Sequence, residues 1–559
     1  MSGDEIEEKS ELEAGKEGVS GGGSGGEEEA KQHAEETIED ATKPKMQGIR
    51  DAVERAYLGE EVEEKEIEVV PEALVIGAGI TGMYAALGIA DAGFKVHLVE
   101  RKPFIGGHMA QLDKTFPTLD CSACILTPRM VDVGRHPLIN LMTYSEVVEV
   151  SGEVGNFKVK VRRKARYVDE NKCTGCGMCA EACRFKNKWP NEFDEGLGKR
   201  SSIYIAFPQA VPAVYTVDPE HCMMVKRGKC GKVTIDDIRA GKAKTPCMEA
   251  CGPGAINFDM KDEIVELNVG VIIIATGYDI IDPRLLPEYH YEEYPNVITG
   301  LEFERLSSAS GPTGGKIMIN GKEPKDAVFI SCVGSRNKQL GYPYCSRVCC
   351  MYLAKHAHLL HEKTHGVKIT ILYQDVRAFG KGYEEFYDRV QSEGITYRRG
   401  LPGEIYQKPG SDRLVVRAED TMLGETYELE ADLVVLGVGL RPSDGTKQIL
   451  EVLNLKLSPD KFFAEKHPKA MPIETEIPGV FIAGCAQGPK DIPDSVQQGK
   501  AAASAALVYL AKKKVRVKPR VVEMEEKPLT ASSLQFAAKE ISSVAASGSS
   551  GSGSGGGSS

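Results

Sequence analysis

The chain has 559 residues, 42% apolar and 7% aromatic, and this length predicts two to four domains. It contains no run of eighteen apolar residues, so no transmembrane segment is expected, and its acidic, polar start differs from a secretory signal. Fifteen cysteines in such a chain predict metal or redox chemistry in a reducing compartment, the cytoplasm, rather than a disulfide framework.

The net charge of −12 is concentrated at one end. Residues 1–68 hold 22 Asp and Glu against 8 Lys and Arg, a net −14, whereas residues 69–559 are near neutral at +2. We expect the acidic segment to be mostly disordered, with a short helix over 46–60. No basic stripe with interleaved aromatic residues occurs, so nucleic acid is not an expected partner.

Residues 73–100 follow the pattern of a dinucleotide-binding strand, turn, helix and strand. An apolar run ends at Gly77, and Gly79 and Gly82 complete G-x-G-x-x-G. A second apolar strand ends at Glu100, 23 residues after Gly77. The glycines allow a tight turn, close approach of a pyrophosphate and close helix packing, and the carboxylate can accept from a ribose hydroxyl. The motif does not choose between FAD and NAD.

Three further segments extend this predicted cofactor site. A glycine doublet follows the acid, an apolar strand ends in A-T-G at 275–277, and a strand and turn near 479–499 precede a helix expected over 500–511. Their candidate cofactor-binding residues are Gly106, Gly107, His108, Gly277, Gly484, Asp491 and Gln498. Alternating segments over 139–165 predict a β meander.

Residues 173–183 carry the spacing C-x2-C-x2-C-x3-C, which is that of bacterial ferredoxins with [4Fe–4S] clusters. Arg184 stands where a proline usually follows. A second cluster requires the later cysteines, whose spacing is stretched by a basic insertion, residues 223–246. We expect one cluster on Cys173, Cys176, Cys179 and Cys251. We expect the other on Cys183, Cys222, Cys230 and Cys247.

A middle domain begins like a Rossmann fold but lacks the glycine-rich turn that would hold NAD(P). Cys332 ends its first strand instead, and its first helix is expected to carry Cys345, Cys349 and Cys350. Cys345 and Cys349 would then share a helix face. So many thiols in one place predict a third cluster in place of a nicotinamide dinucleotide, the alternative being buried packing cysteines.

Two features allow several interpretations. Cys121 and Cys124 are a dithiol, two ligands of a cluster completed elsewhere, or unpaired thiols in a loop, because two cysteines cannot close a four-ligand site. Lys381 is a candidate flavin-side charge, with a solvated loop lysine as the alternative.

The order of these segments is that of α/β flavoproteins of the thioredoxin reductase type, with two dinucleotide-binding domains and an inserted two-cluster ferredoxin domain. FAD is therefore expected on Gly77–Glu100. The predicted domains are an acidic segment (1–68), a FAD-binding domain (69–165, 263–320 and 446–515), the ferredoxin insert (166–262), a second Rossmann-like domain (321–445) and a C-terminal tail (516–559), Gly/Ser-rich at its end.

Over about residues 70–515 the chain resembles the flavin-bearing A subunit of heterodisulfide reductase from methanogens and related archaea. The resemblance rests on Gly77–Glu100, on the stretch from Gly106 to Cys124, on the ferredoxin insert and on the four late cysteines. It implies that the late cysteines bind a non-standard [4Fe–4S] cluster near FAD, for three clusters in all. The resemblance further implies B and C subunits that reduce the heterodisulfide of coenzymes M and B.

By the same resemblance, a hydrogenase or formate dehydrogenase supplies electrons and ferredoxin receives part of them through flavin-based bifurcation. A homodimer within a larger complex is expected. The family's cysteine-bearing N-terminal domain is replaced here by the acidic segment, and no cysteine follows Cys485 to form its C-terminal ferredoxin domain. The alternative is an electron-relay flavin subunit of a related quinone-interacting or sulfur-oxidation complex.

Overall fold

In the computed structural model, which describes residues 64–517, a five-stranded parallel sheet carries the glycine-rich turn. We call it the first sheet. Its strands, in spatial order, are Val480–Ile482, Val271–Ile274, Glu72–Ile76, Lys95–Glu100 and Ile139–Thr143. They are short, nearly continuous apolar runs because both faces of the sheet are covered, which is usual for parallel sheets. The two strands predicted around the glycine motif are confirmed.

One face of the first sheet is covered by helices Ile80–Asp91, Ser122–Arg135 and Ile492–Leu510. The first and last of these pack closely, since a Cβ on Gly88 would lie 3.2 Å from that of Ala503. The last helix begins eight residues before the predicted start. Its true start was visible in the sequence, because Asp491 caps it by accepting from the Asp494 backbone N–H at 2.9 Å.

The other face is covered by an antiparallel sheet and a helix. These are strands Ser145–Glu153, Asn156–Arg163 and Glu263–Val269, and helix Thr446–Leu453. The predicted meander is therefore only partly right, since Ile139–Thr143 pairs in parallel with Lys95–Glu100. The ends of the described chain pair as two short strands, Lys65–Glu68 and Lys514–Val517.

A second parallel sheet forms the middle domain. Its strands, in spatial order, are Val297–Thr299, Leu433–Val438, Asp326–Val333, Lys368–Tyr373 and Thr396–Arg399. It packs against helices Gly300–Ser307, Cys349–Lys363 and Tyr383–Ser392 and an antiparallel layer of Pro402–Gln407, Leu414–Asp420 and Glu425–Ala431. The boundary predicted at residue 320 is wrong, because Val297–Thr299 pairs with Leu433–Val438 and so belongs to this domain.

Residues 166–262 form the insert, a small domain with little regular structure. Its helices are Met178–Glu181, Met223–Arg227, Ile235–Arg239 and Pro246–Glu249. Its paired strands are Trp189–Pro190 with Lys199–Arg200, Ile203–Tyr204 with Thr216–Val217, and Lys229–Cys230 with Val233–Thr234. Phe193 and Phe207 leave the insert and stack in the core of the first sheet, with ring centroids 4.5 Å apart. Within residues 64–517, no helix combines the length and apolarity that a membrane span requires. The helix predicted over 46–60 lies outside the described residues.

Candidate functional site

A deep cleft with about 1500 Å³ of free space, counting its open mouth, runs along the carboxyl ends of the first sheet. The strands Glu72–Ile76, Lys95–Glu100 and Val271–Ile274 all end at it, and the middle domain supplies its far wall. Of the predicted cofactor residues, the cleft is lined by Gly77, Gly79, Glu100, Gly106, Gly107, His108, Gly277 and Asp491.

The glycine-rich turn is built as the motif predicts. Gly77 has φ +99°, and a Cβ there would lie 2.3 Å from the Ala275 carbonyl oxygen. A Cβ on Gly82 would lie 1.8 Å from the Gly77 carbonyl oxygen, so Gly82 serves packing. At Gly79 a Cβ would meet nothing nearer than Gly107 Cα at 4.0 Å, so the turn leaves space in front of the helix N-terminus. The first amides of that helix have no intrahelical acceptor and suit a phosphate.

The Glu100 carboxylate accepts from two backbone N–H groups, one in the glycine-rich turn and one just after Glu100 itself. One oxygen accepts from the Ala78 N–H at 2.8 Å and the other from the Lys102 N–H at 2.9 Å. These bonds hold the carboxylate at the cleft wall. A carboxylate has about four acceptor positions, so capacity remains for a ribose hydroxyl.

Gly484 and Gln498 lie behind the cleft rather than in its lining. The Gly484 N–H donates to Gln498 Oε1 at 2.7 Å, and a Cβ on Gly484 would lie 2.2 Å from Thr81 Oγ1. Both residues therefore position the turn before the last helix. In that turn Asp491 accepts from the Tyr383 hydroxyl at 2.5 Å, which joins the turn to the middle domain.

His108 is fixed at the cleft wall by bonds to both ring nitrogens. Its Nδ1 lies 2.8 Å from Gln111 Oε1, and its Nε2 lies 3.0 Å from the Tyr278 carbonyl oxygen. Its ring stacks on that of Tyr278 with centroids 4.6 Å apart. Gln111 Nε2 donates to the Phe193 carbonyl and to Glu195 Oε1, which links the cleft wall to the insert.

Two polar atoms of the cleft lining favour a bound ligand there. Thr276 Oγ1 and His356 Nδ1 are buried and have no hydrogen-bond partner among the described residues. A buried polar atom without a partner is costly unless a ligand or water satisfies it. The open glycine turn, the acid and these two atoms together fit FAD, which has an anionic pyrophosphate and a polar ring system.

Sequence reasoning missed a buried charge cluster in the cleft wall. Lys355 and His356 both contact Glu304 Oε1, the imidazole at 2.6 Å, and Lys355 Nζ also donates to the Lys114 carbonyl at 2.8 Å. Burial disfavours the carboxylate, but its interactions with Lys355 and His356 outweigh burial and lower the pKa of Glu304 to about 2. Burial lowers the pKa of His356. The one sequence signal was the adjacent pair of Lys355 and His356 directly after the apolar Leu353 and Ala354.

Lys381 is exposed and does not line the cleft. The structure therefore does not support it as a flavin-side charge. Lys355, by contrast, is 1% exposed and belongs to the cleft lining.

The insert brings its eight cysteines together as two groups of four. The first group lines one small cavity and comprises Cys173, Cys176, Cys179 and Cys251. The second lines another and comprises Cys183, Cys222, Cys230 and Cys247. This is the sorting proposed from spacing, in which the fourth cysteine of the motif serves the other site. Burial and neighbouring thiols raise the pKa of Cys179 to about 12 and that of Cys247 to about 11.

The four late cysteines also lie together, but not as predicted. Helix Cys349–Lys363 begins at Cys349, so Cys345 is not on it and the shared-face argument is wrong. Arg347 has φ +64°, a left-handed conformation that interrupts the helical backbone before Cys349. Burial and then Cys332, Cys350 and Cys345 raise the pKa of Cys349, which shows the four thiols to be neighbours.

This third cysteine group adjoins the cleft. The Cys349 thiol donates to the Val438 carbonyl at 3.8 Å, and the Tyr352 hydroxyl donates to the same oxygen at 2.8 Å. Val438 and Tyr352 both line the cleft.

Cys121 and Cys124 form a disulfide at the start of helix Ser122–Arg135, with Cα atoms 5.2 Å apart. Of the three interpretations that spacing left open, the structure shows the dithiol pair in its oxidised form. Within residues 64–517, no three His, Cys, Asp or Glu side chains are grouped closely enough to hold a single metal ion.

The protein families that match agree with the division of the chain into a dinucleotide-binding fold and a cysteine-bearing insert. Residues 75–133 match the family described as NAD(P)-binding Rossmann-like domain, and residues 166–186 match the 4Fe-4S binding domain. The fold and site define an iron–sulfur flavoprotein oxidoreductase with an inserted [4Fe–4S] domain.

Characterised relatives identify the family. The chain is 54% identical over 489 residues to the second of the iron-sulfur A subunits of CoB–CoM heterodisulfide reductase in Methanopyrus kandleri, an alignment covering 87% of this chain and 71% of that protein. It is 49% identical over 486 residues to the A subunit of the H(2):CoB-CoM heterodisulfide,ferredoxin reductase of Methanothermobacter thermautotrophicus, covering 86% and 70%. The chain belongs to the family of heterodisulfide reductase A subunits.

Among solved structures, that of thioredoxin reductase from T. acidophilum is similar to this chain, with a TM-score of 0.44 and 14% sequence identity. That alignment covers 79% of this chain and 100% of that one.

Proposed function

We propose that this chain distributes electrons within a cytoplasmic heterodisulfide reductase complex by flavin-based bifurcation. Its electrons come from a hydrogenase or formate dehydrogenase subunit. They leave to ferredoxin and to B and C subunits that reduce the heterodisulfide of coenzymes M and B. The name of the Methanothermobacter thermautotrophicus relative, which pairs a heterodisulfide with ferredoxin, supports these acceptors.

The observation that carries the proposal is that two cysteine-bearing parts of the chain adjoin one cleft. Cys349 of the late group and the cleft residue Tyr352 bond to the same carbonyl oxygen. The cleft residue His108 is joined through Gln111 to Phe193 of the insert, which holds the other two groups. A flavin accepts electrons in pairs and releases them singly, so two separate acceptor sites allow the two electrons to separate.

We propose FAD in the cleft and three [4Fe–4S] clusters, one on each group of four cysteines. The thiol groups suit iron, because two small cavities are each lined by four cysteines and the other three late cysteines lie near Cys349. The cysteines of residues 173–183 follow ferredoxin spacing, the later insert cysteines follow it in stretched form, and the late group does not follow it.

The chain's own contribution at the flavin is fixed charge. Lys355 is held by Glu304 and by a backbone carbonyl, so its ammonium cannot turn away from the cleft. An ammonium held in this way would give a bound flavin a fixed polar partner, because preorganised charge costs no reorganisation during reaction. We propose that Lys355 tunes the flavin in this way.

The test is a reconstituted complex of this chain with the B and C subunits and a ferredoxin, supplied with an electron donor. Bifurcation predicts that ferredoxin is reduced only while heterodisulfide is present, with equal numbers of electrons passing to each acceptor. Ferredoxin reduction that is independent of heterodisulfide, or electrons that pass to one acceptor only, contradicts the proposal and favours a simple relay.

A further inference from the structure

The disulfide between Cys121 and Cys124 takes no part in the proposed flavin and cluster chemistry. Neither cysteine lines the flavin cleft, and neither belongs to one of the three groups of four cysteines. Both residues are exposed on the surface. The pair is therefore a separate sulfur centre that contacts solvent directly.

This disulfide contributes less to the stability of the fold than a bond between distant segments would. It joins residues only three apart in the sequence, and the stabilisation from a disulfide grows with the length of the loop that it closes. The backbone is also held without it. The Ser122 N–H donates to the Asp113 carbonyl at 3.0 Å, and the buried Ser122 hydroxyl donates to the Met109 carbonyl at 2.7 Å. The bond can therefore open and close while this segment keeps its place.

The two sulfur atoms differ in their position on helix Ser122–Arg135. Cys121 is the N-cap of this helix, and its Sγ accepts from the Cys124 N–H at 3.2 Å. The first turn of this 14-residue helix holds no acidic side chain. The N-terminal end of a helix carries partial positive charge, which stabilises a nearby thiolate. Cys121 is therefore the sulfur that acts as the nucleophile when the pair is reduced.

The exposure of the pair favours exchange with small molecules in solution. Exposed disulfides are more labile than buried ones, and disulfides in a reducing compartment are mostly catalytic or redox-sensing. Because both cysteines are exposed, a dissolved thiol reaches the bond without rearrangement of the fold.

We propose that Cys121 and Cys124 form a thiol–disulfide exchange site for low-molecular-weight thiols and disulfides. In the reduced pair, the Cys121 thiolate attacks a disulfide R–S–S–R, which forms a Cys121–S–S–R bond and releases one R–S⁻. The Cys124 thiol then loses its proton and attacks Cys121 Sγ, which closes the Cys121–Cys124 bond and releases a second R–S⁻.

The two released thiolates take up the two protons of the pair and become R–SH. The pair thus loses two electrons, and the external disulfide gains them. The reverse sequence, in which R–S⁻ attacks Cys121 Sγ, reduces the pair. This exchange involves neither the flavin nor the clusters.

The experiment follows this pair in the full chain, reconstituted anaerobically with flavin and iron, in mixtures of reduced and oxidised glutathione. Acid stops the exchange, and free thiols are then alkylated. Trypsin cleaves after Lys114 and Arg129, so Cys121 and Cys124 share one peptide, residues 115–129, that holds no other cysteine. Mass spectrometry therefore measures dithiol, disulfide and bound glutathione on this pair separately from the cluster cysteines.

We expect the wild-type pair to convert from disulfide to dithiol in one two-electron step as the share of reduced glutathione rises. With oxidised glutathione, Cys124→Ser should accumulate one glutathione on Cys121, because the sulfur that would displace it is gone. The matched variant Cys121→Ser should take up glutathione on Cys124 roughly tenfold more slowly. Cys485, which is buried and outside the three groups, should carry no glutathione in any of these proteins.

Iron and flavin contents are measured in all three proteins, so that a folding defect is recognised independently of exchange. A pair that stays in one state across all mixtures overturns the proposal, as does equal glutathione uptake by the two variants. A loss of about four iron atoms in both variants also overturns it, since the pair would then be cluster ligands. None of these measurements needs heterodisulfide or a partner subunit, so their outcome is independent of the proposed function.

Discussion

Arg305 and Asp194 form a buried ion pair that joins the cysteine-bearing insert to a helix of the cleft wall. Arg305 Nε lies 3.0 Å from Asp194 Oδ1, and Arg305 is 1% exposed. The guanidinium also donates to the Gln111 carbonyl at 2.9 Å and lies over the ring of Phe193, 4.8 Å from its centroid. The insert is therefore anchored on the cleft side by several contacts of one side chain.

Removing this anchor should destabilise the protein strongly. Arg305→Ala leaves the Asp194 carboxylate buried without its cation, and breaking a buried pair in this way costs about 3–5 kcal/mol. Denaturant unfolding measures the change. The control is Arg284→Ala, which breaks an exposed pair with Asp282 and should cost less than about 1 kcal/mol. Equal effects of the two substitutions would show that the buried pair does not anchor the insert.

Flavin binding should depend on the absence of a side chain at Gly79. A Cβ there meets no protein atom nearer than Gly107 Cα at 4.0 Å and φ is −73°, so Gly79→Ala folds without strain. The methyl group, and more so the branched side chain of Gly79→Val, enters the space proposed for the pyrophosphate. We expect flavin content to fall at least tenfold while Gly403→Ala, also in open space, keeps full flavin. If Gly79→Val keeps its full flavin content, the assignment of FAD to this turn is wrong.

Iron content should report three clusters, about twelve iron atoms per chain. Cys176→Ala should lower the value to about eight, because it removes one ligand of the first group. Cys485 is buried but belongs to none of the three groups, so Cys485→Ala should leave iron unchanged. Iron near four atoms that Cys176→Ala does not alter would exclude clusters in the insert.

The protein should not oxidise NADH or NADPH directly. In the middle domain, the turn that would hold a pyrophosphate is closed, since a Cβ on Gly334 would lie 2.5 Å from Ile281 Cγ2. Cys332 stands beside it in a left-handed conformation, φ +60°, and a thiolate-ligated cluster there would repel an anionic dinucleotide. Stopped-flow mixing with either nucleotide should leave the flavin oxidised, whereas reduced ferredoxin should bleach it. If NADH or NADPH bleaches the flavin rapidly, the prediction is wrong and the middle domain holds a conventional NAD(P) site.

Stability should depend on pH through Glu304. Its pKa is lowered from 4.5 to about 2, so the carboxylate contributes stability that is complete above pH 4.5 and is lost as pH falls towards 2. At pH 7, Glu304→Gln should cost about 3–5 kcal/mol, because Lys355 is left buried without its counter-charge.

The difference in free energy of unfolding between wild type and Glu304→Gln should therefore become smaller as pH falls from 4.5 towards 2. Denaturant unfolding at each pH measures it. The exposed control Glu451→Gln should stay within about 0.5 kcal/mol of wild type throughout. A gap that stays constant with pH would mean that the Glu304 charge does not stabilise the fold.

The sequence by itself determined the parts of the site that are local. Gly77, Gly82 and Glu100 lie within one strand–turn–helix–strand unit, so backbone geometry alone dictates what each does. The short cysteine spacings of residues 173–183 likewise specify a ligand arrangement without knowledge of the fold.

Only the tertiary structure decided where distant groups meet. Cys345 lies outside the helix because a residue far away in the sequence holds the segment that precedes the helix. The Leu440 N–H donates to Ser346 Oγ at 2.8 Å. Lys355 rather than Lys381 faces the cleft, because Glu304 on another helix supplies its counter-charge. A charge is buried only where another element delivers its partner, and that depends on the packing of segments far apart in the chain.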